Sequence, residues 1–165
     1  MDPQVLQAMA RWPQVPAVYG WLALDRRGNW LLREPSGGRF GRIGNAALRA
    51  FIARNYAVDE RGCWYFQNGP QRVFAALAYT PFVVRYEGSG LVDQCGAAVT
   101  PLETYVDEEG SVLMRLARGV GLLDDRDLQT FVSRLQGDWQ RLPRVASRDV
   151  PGRFGFVSAP SDSLR

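Results

Sequence analysis

Histidine and lysine are both absent from this chain of 165 residues, and only two cysteines occur. Without histidine the chain lacks the commonest general base and the usual partner of a serine or cysteine nucleophile, and most zinc and iron sites lose a ligand. The two thiols, Cys63 and Cys95, form no Cys-x-x-Cys pair, so neither a disulfide framework nor a zinc ribbon is predicted. We expect no metal and no cofactor, and thiols that lie buried or partly buried in a reducing compartment.

Long apolar runs are absent as well. No run approaches the roughly 20 residues of a membrane span, and the N-terminal MDPQVLQAMARWPQVP has neither the basic leader nor the apolar core of a signal peptide. The expectation is a bacterial cytoplasmic protein without a membrane segment. Hydrophobic residues make up 46% of the chain and aromatic residues 12%, which is ample for a folded core.

All twenty basic residues are arginine, set against seventeen acids. Arginine binds carboxylate and phosphate in a bidentate manner, although a GC-rich genome would also favour arginine codons. The arginines are scattered and form no basic run. They are therefore a weak footprint for nucleic-acid binding.

Asp-x-x-Gly segments occur at Asp25–Gly28, Asp59–Gly62 and Asp107–Gly110. Each is typical of a type I turn whose glycine takes a positive φ, and each lies between strand-like runs. A tryptophan or valine follows two residues after each glycine. Asn68-Gly69 is a further hairpin signal. The recurrence indicates either a repeated hairpin-plus-helix unit or a turn that is common in antiparallel proteins.

Three helices are predicted from capping residues and apolar spacing. The first follows Asp2, whose carboxylate can cap it, and the second runs from the cap Asn45 to about Asn55. The third is capped by Asp124 or Asp125 and stopped by Gly137. Its apolar face would comprise Leu128, Phe131, Val132 and Leu135.

Together these signals predict an α+β protein of antiparallel hairpins and a meander packed with short helices. The predicted segments are an N-terminal helix and linker (1–19), a first α/β motif (20–88), a second α/β motif (89–142) and a C-terminal tail (143–165). The tail would be loose, or laid over the surface by Phe154 and Phe156. Strands 63–67, 72–79 and 81–87 would form the meander. Apolar periodicity predicts one core of Trp30, Phe51, Ile52, Trp64 and Phe82.

The order of these motifs resembles a proteobacterial family of uncharacterised proteins, a domain of unknown function. The matching segments are Gly28-Asn29-Trp30, Gly62-Cys63-Trp64-Tyr65, Gly69-Pro70-Gln71-Arg72-Val73 and Thr80-Pro81-Phe82, within residues 20–135. The resemblance implies two repeated α/β motifs with a crevice between them and a suspected role in signalling or regulation, with no established activity. The chain carries Gln71-Arg72 where the family carries Glu-Lys, so a role built on that carboxylate does not transfer.

Catalysis would require a nucleophile with its base, a metal cluster or a pair of carboxylates with separated pKa values. The acids of this chain cluster instead in turns and at helix starts, where carboxylates are solvated or act as caps. We therefore predict a non-catalytic module that binds a small anionic ligand or a protein partner. The candidate binding residues are Tyr65, Asn68, Gln71, Arg72 and Arg85.

Two alternatives stay open. Tyr65, Phe66, Arg72 and Arg85 on neighbouring strands could form a face that stacks the bases of single-stranded nucleic acid. The chain could also be an enzyme of unrecognised type. For each single candidate residue, a role as turn former, strand edge or surface arginine is the competing explanation.

Overall fold

The computed structural model describes residues 1–35, 38–135 and 139–162. These residues form two six-stranded sheets with short helices, which confirms the α+β class. The first of two compact units comprises residues 1–25, 29–78 and those from 156 onward, and the second comprises 26–28 and 79–155. The predicted motif boundaries at residues 19, 88 and 142 stay a prediction. Within the described part of the chain, no helix is long and apolar enough to cross a membrane.

The first unit is built on one mixed sheet. Its strands are β1 (Val18–Leu24), β2 (Trp30–Arg33), β3 (Phe40–Arg42), β4 (Tyr56–Val58), β5 (Trp64–Asn68) and β6 (Gln71–Leu77). The order across the sheet is β3-β2-β1-β6-β5-β4. β1 and β6 pair in parallel, whereas the other neighbours are antiparallel.

The second unit repeats this topology. Its strands are β7 (Phe82–Glu87), β8 (Gly90–Asp93), β9 (Ala98–Val99), β10 (Glu103–Val106), β11 (Val112–Leu116) and β12 (Gly119–Leu123). The order is β10-β11-β12-β7-β8-β9, and the first and last strands, β7 and β12, again form the parallel pair. Each sheet therefore consists of two three-stranded meanders joined side by side, which confirms an internal repeat.

The helices differ in their places within the two units. Helix α1 (Pro3–Arg11) precedes the first sheet and α2 (Ala46–Arg54) connects its two meanders, whereas α3 (Leu128–Arg134) follows the second sheet. The Asn45 side chain caps α2 as predicted, because its oxygen accepts the Leu48 N–H at 3.0 Å. The Asp2 cap is wrong: its carboxylate makes no capping hydrogen bond and instead accepts from the Arg54 guanidinium at 3.1 Å.

The third helix differs in part from its prediction. Asp124 caps a 3₁₀ turn (Asp125–Asp127) that leads into α3, since its side chain accepts the Arg126 N–H at 3.0 Å. Phe131 is buried, but Val132 is 53% exposed, so the apolar face is narrower than predicted. The predicted stop at Gly137 lies outside the described residues.

The meander predicted from residues 63 to 87 is wrong in its last strand. β6 pairs with β5 and β1, and β7 pairs with β8 and β12, so β6 and β7 belong to different sheets. The other edge of β6 pairs with a parallel strand from 53–55 residues earlier in the chain, and no local pattern encodes that pairing.

Four Asp-x-x-Gly turns share one geometry. The glycines Gly28, Gly62, Gly96 and Gly110 have φ values of 76°, 80°, 80° and 82°. Only glycine takes such a φ without strain. In each turn the aspartate carboxylate accepts the backbone N–H four residues later, at 2.7–3.0 Å. The turn at 93–96 escaped the sequence analysis because no tryptophan or valine follows at the same spacing.

The core of the first unit lies under α2. Trp30 and Trp64 are 1% and 4% exposed, and the Tyr56 ring lies 4.9 and 4.8 Å from them. Phe51 of α2 packs edge-on against Phe66 at 5.4 Å. The prediction of a buried Trp64 is confirmed. Phe82 is also buried and belongs to the second unit, and its place in one core with the other four residues stays a prediction.

The opposite face of the first sheet is also covered. Tyr65 and Phe74 are buried there with Cys63, and Tyr19 stacks on Phe74 at 4.7 Å. Val157 packs on this cluster and its backbone bridges to Cys63. Val157 thus lies against the sheet, and both aromatic sets of β5 are buried, while the tail as a whole (143–165) stays a prediction.

Candidate functional site

Four of the five predicted binding residues lie on the β5–β6 hairpin. Asn68 and Gln71 face each other across its end, and Arg72 is opposite Gln67. Gly69 takes a φ of 57°, which lets the chain reverse within two residues. The tight turn therefore gathers these polar side chains at one corner of the first unit.

Arg72 is held over an aromatic ring. Its guanidinium carbon lies 4.8 Å from the centre of the Tyr65 ring, and that ring is only 6% exposed. Stacking on a fixed ring orients the planar guanidinium and leaves its edge free to donate. Among the described residues, no acidic side chain forms an ion pair with Arg72.

The linker between α1 and β1 is tied to the same corner. The Gln71 amide donates to the Pro16 carbonyl at 3.1 Å. The start of α1 is fixed as well, since the Asp2 N–H donates to the Asn55 side chain at 2.8 Å. Prolines at 13 and 16 restrict the linker backbone between these two attachments.

A cavity of about 670 Å³ lies between the linker and the hairpin. It is lined by Met9, Pro13, Gln14, Val15, Pro16, Ala17, Gln67, Pro70 and Arg72. We call it the corner cavity. Its described lining is mixed, with apolar side chains, two glutamines and one arginine, and it includes no acidic side chain. Such a lining favours a small ligand with an apolar body and a negative group.

Gln67 supplies an unpartnered acceptor in the wall of the corner cavity. Its side chain is 1% exposed, and its Nε2 donates to the Gly69 carbonyl at 2.9 Å. Rotating the amide would bring Oε1 against that carbonyl oxygen, so the orientation is fixed. Among the described residues Oε1 accepts no hydrogen bond. A buried acceptor without a partner costs about 1–3 kcal/mol, and a donor that reached Oε1 would recover that cost.

Gln67 was not among the predicted site residues. The available signal was a polar side chain inside the otherwise apolar strand CWYFQ. Alternation placed Gln67 on the face of Tyr65 but could not show that this face is covered. A buried polar residue is unusual, and that burial is visible only in the folded chain.

Arg85 is separate from this group. It lies on β7 in the second unit, its side chain is 55% exposed, and it pairs with Glu87 at 3.5 Å. It is not part of the lining of the corner cavity. The structure therefore brings together Tyr65, Asn68, Gln71 and Arg72, but places Arg85 elsewhere.

The predicted stacking face for nucleic acid is wrong for the same reason. Arg85 is not on a strand of the first sheet, and Phe66 packs against α2 on the opposite face from Tyr65. Both rings are 6% exposed, so neither offers a surface on which a base could stack.

Among the described residues, no titratable group with a shifted pKa is part of the lining of the corner cavity. Burial raises the pKa of the Cys95 thiol to about 12 and, together with the hydrogen bond to Asp107, raises that of Tyr79. The Arg126 guanidinium lowers the pKa of Asp124 by donating to it. Across residues 1–35, 38–135 and 139–162, no group of three acidic or cysteine side chains is placed to hold a metal ion.

Comparisons with known proteins place the chain in a family. A family model described as "Protein of unknown function (DUF2946)" matches residues 1–161, so the chain belongs to that family. No curated protein matches it. Among solved structures, a DUF1285 family protein from Shewanella baltica OS155 is similar with a TM-score of 0.52 and 14% identity, over 70% of this chain and 92% of that one. A DUF1285 family protein from Silicibacter pomeroyi DSS-3 is similar with a TM-score of 0.53 and 13% identity, over 74% and 73%. At these identities the similarity shows a shared fold.

Proposed function

We propose that this member of the family is a non-catalytic module that binds a small anionic ligand in the corner cavity. The observation that carries the proposal is the unpartnered Oε1 of Gln67, buried in the cavity wall that also contains Arg72. The Arg72 guanidinium would bind a carboxylate or phosphate of the ligand, and Oε1 of Gln67 would accept a hydrogen bond from a hydroxyl or amine. The apolar side chains of the lining would contact the rest of such a ligand.

A binding role fits the chemistry better than an enzymatic one. The cavity lining offers one cation and two side-chain amides, and none of them is a nucleophile or a general base at neutral pH. A role in signalling or regulation, implied by the family resemblance, would follow if the ligand changed how the linker at Pro13–Ala17 is held. That linker forms one wall of the cavity and is tied to the hairpin through Gln71.

Thermal-shift and calorimetric titrations with amino acids, hydroxy acids and nucleotides test the proposal. Arg72→Ala should weaken binding of an anionic hit by roughly 10- to 150-fold, the loss expected for hydrogen bonds to a charged group. Gln67→Met removes the acceptor while keeping the volume and should also weaken binding. Arg85→Ala is the control and should bind normally. The absence of any hit, or hits unaffected by Arg72→Ala, would contradict the proposal.

The binding of a protein partner is the other form that the prediction takes. Pull-down with the unmodified chain and with Arg72→Ala would distinguish it. A partner whose binding depends on Arg72, with no small-molecule hit, would favour the protein.

A further inference from the structure

A second group of arginine and aromatic side chains lies on the outer part of the first sheet. Arg33 is opposite Phe40, and Arg42 is opposite Leu31. Directly opposed residues on antiparallel strands share a face, so these four side chains lie on one side of the sheet. Leu31 is in turn opposite Ala23 on β1, and Trp21 is assigned to the same side because it is exposed beside the buried Leu22 and Leu24. We call this the β1–β3 face.

This face is open at its rings. Trp21 is 43% exposed and Phe40 is 39% exposed, in contrast to the buried Tyr65 and Phe74 farther along the sheet. β1 and β3 flank β2, so their backbones lie about 10 Å apart at the usual strand spacing.

A bulge near Gly20 accompanies the exposed position of Trp21. The pairing of β1 with β6 shifts register between Val18 and Leu22, and Gly20 takes a φ of 73°. Bulges re-aim neighbouring side chains and interrupt regular pairing. Trp21 and Trp30 both lie in strand-like runs of the sequence. The sequence pattern does not distinguish them, but in the folded chain Trp30 is buried and Trp21 is not.

The charge on this face has one sign. Strands β1, β2 and β3 contain two arginines and no acidic residue. The Arg33 guanidinium lies 5.9 Å from the centre of the Phe40 ring, and both Arg33 and Arg42 are exposed. Among the described residues, neither arginine forms an ion pair with an acid. The cations are therefore available to an external anion.

We propose that the β1–β3 face binds single-stranded nucleic acid, with bases stacked on Trp21 and Phe40 and phosphates held by Arg33 and Arg42. Exposed rings interleaved with unpaired cations are the combination that holds a single strand without sequence preference. Arginine suits both tasks, because its guanidinium binds phosphate in a bidentate manner and stacks on planar groups. The net charge of +3 adds a favourable long-range term for a polyanion.

The test is a titration of the full chain with labelled oligothymidylate and oligouridylate of about 12 nucleotides, within the usual site size of such proteins. Trp21→Ala should weaken binding by about 5- to 150-fold, the loss of one stacked base. Arg33→Ala with Arg42→Ala should lower the slope of log affinity against log salt by about 1.4, or about 0.7 for each lost phosphate contact. Circular dichroism of each variant would verify that it is folded.

The matched control replaces two exposed arginines of the second unit, Arg85→Ala with Arg148→Ala, which removes the same charge. This control variant should bind the oligonucleotides with nearly the affinity of the unmodified chain. Adding Trp21→Ala to it should weaken binding as much as Trp21→Ala does in the unmodified chain. Three outcomes would overturn the proposal: no binding at low salt, binding that survives Trp21→Ala and the Arg33/Arg42 pair, or equal losses in the control. Binding to anionic vesicles but not to oligonucleotides would identify a membrane surface instead and would also overturn it.

Discussion

Asp107 is a buried carboxylate that accepts three hydrogen bonds within the second unit. It is 1% exposed, and its Oδ1 accepts the N–H groups of Glu109 at 2.9 Å and Ser111 at 2.7 Å. Its Oδ2 accepts the O–H of the buried Tyr79 at 2.7 Å. The first two bonds close an Asp-x-x-Gly turn, and the third attaches that turn to the segment before β7. Asp107→Ala would leave all three donors without this partner.

The expected loss follows from those contacts. A hydrogen bond to a charged group contributes about 1.5–3 kcal/mol, but the two turn N–H groups lie near solvent and would regain water. We therefore expect Asp107→Ala to lower the free energy of unfolding by about 3–5 kcal/mol, at the upper end of single substitutions. For a chain of this length that is about 6–20 °C in the unfolding midpoint. Glu109→Ala is the matched control, because its side chain is 61% exposed and lies 3.6 Å from Arg26, so its loss should be within about 0.5 kcal/mol.

Urea unfolding followed by circular dichroism measures these differences. Tyr79→Phe and the double variant complete a cycle that isolates the Tyr79–Asp107 bond, for which we expect a coupling of at least about 1 kcal/mol. A loss below about 1 kcal/mol for Asp107→Ala, or additive effects in the cycle, would refute the assignment of this carboxylate as a structural acceptor.

Three further predictions concern pH, backbone space and thiol reactivity. Burial raises the pKa of Tyr79, so above about pH 10 the folded chain keeps a proton that the unfolded chain loses. The free energy of unfolding should therefore fall as the pH rises above about 10. Urea midpoints measured over a pH series should show this fall, and Tyr79→Phe should remove the part that comes from the tyrosine. A Cβ at Gly121 would lie 2.7 Å from a valine methyl, whereas at Gly110 only the φ of 82° opposes a Cβ. Measured by urea unfolding, Gly121→Ala should lower the free energy of unfolding by about 1–3 kcal/mol and Gly110→Ala by about 1 kcal/mol. The reverse order would contradict the close packing at Gly121. Burial raises the pKa of Cys95 to about 12 and also raises that of Cys63, so a disulfide reagent at pH 8 should label both far faster in urea than in the folded chain; equal rates would count against their burial.

Turns, helix caps and hairpins that depend on neighbouring residues could be predicted from the sequence. An Asp-x-x-Gly turn closes on itself within five residues, so Asp59 and Gly62 specify it without help from distant parts of the chain. The Asn45 cap of α2 acts over three residues and was predicted for the same reason. The Asn68-Gly69 signal predicted the β5–β6 hairpin, and in the folded chain this hairpin brings Gln71 and Arg72 close to Tyr65.

The pairing of strands that are distant in the chain could not be predicted from the sequence. The parallel pairs β1–β6 and β7–β12 join residues about 40–55 positions apart, and the hydrophobic pattern of a strand does not name its neighbour. Without that pairing, β7 was wrongly joined to the meander of β5 and β6, and Arg85 was wrongly expected on the same sheet as Tyr65. Alternation correctly separated Trp64 from Tyr65 but could not show that Val157 returns to cover the second face.

By itself, the sequence determined which chemistry is available: no histidine, no lysine, arginine as the sole cation, and turns whose geometry is closed by bonds between near neighbours. Only the tertiary structure decided where that chemistry can act. It buried Gln67 against the proline linker and left Trp21 open on the other end of the same sheet. Exposure and burial are set by segments far apart in the chain, because the free energy of packing depends on the whole surface removed from water.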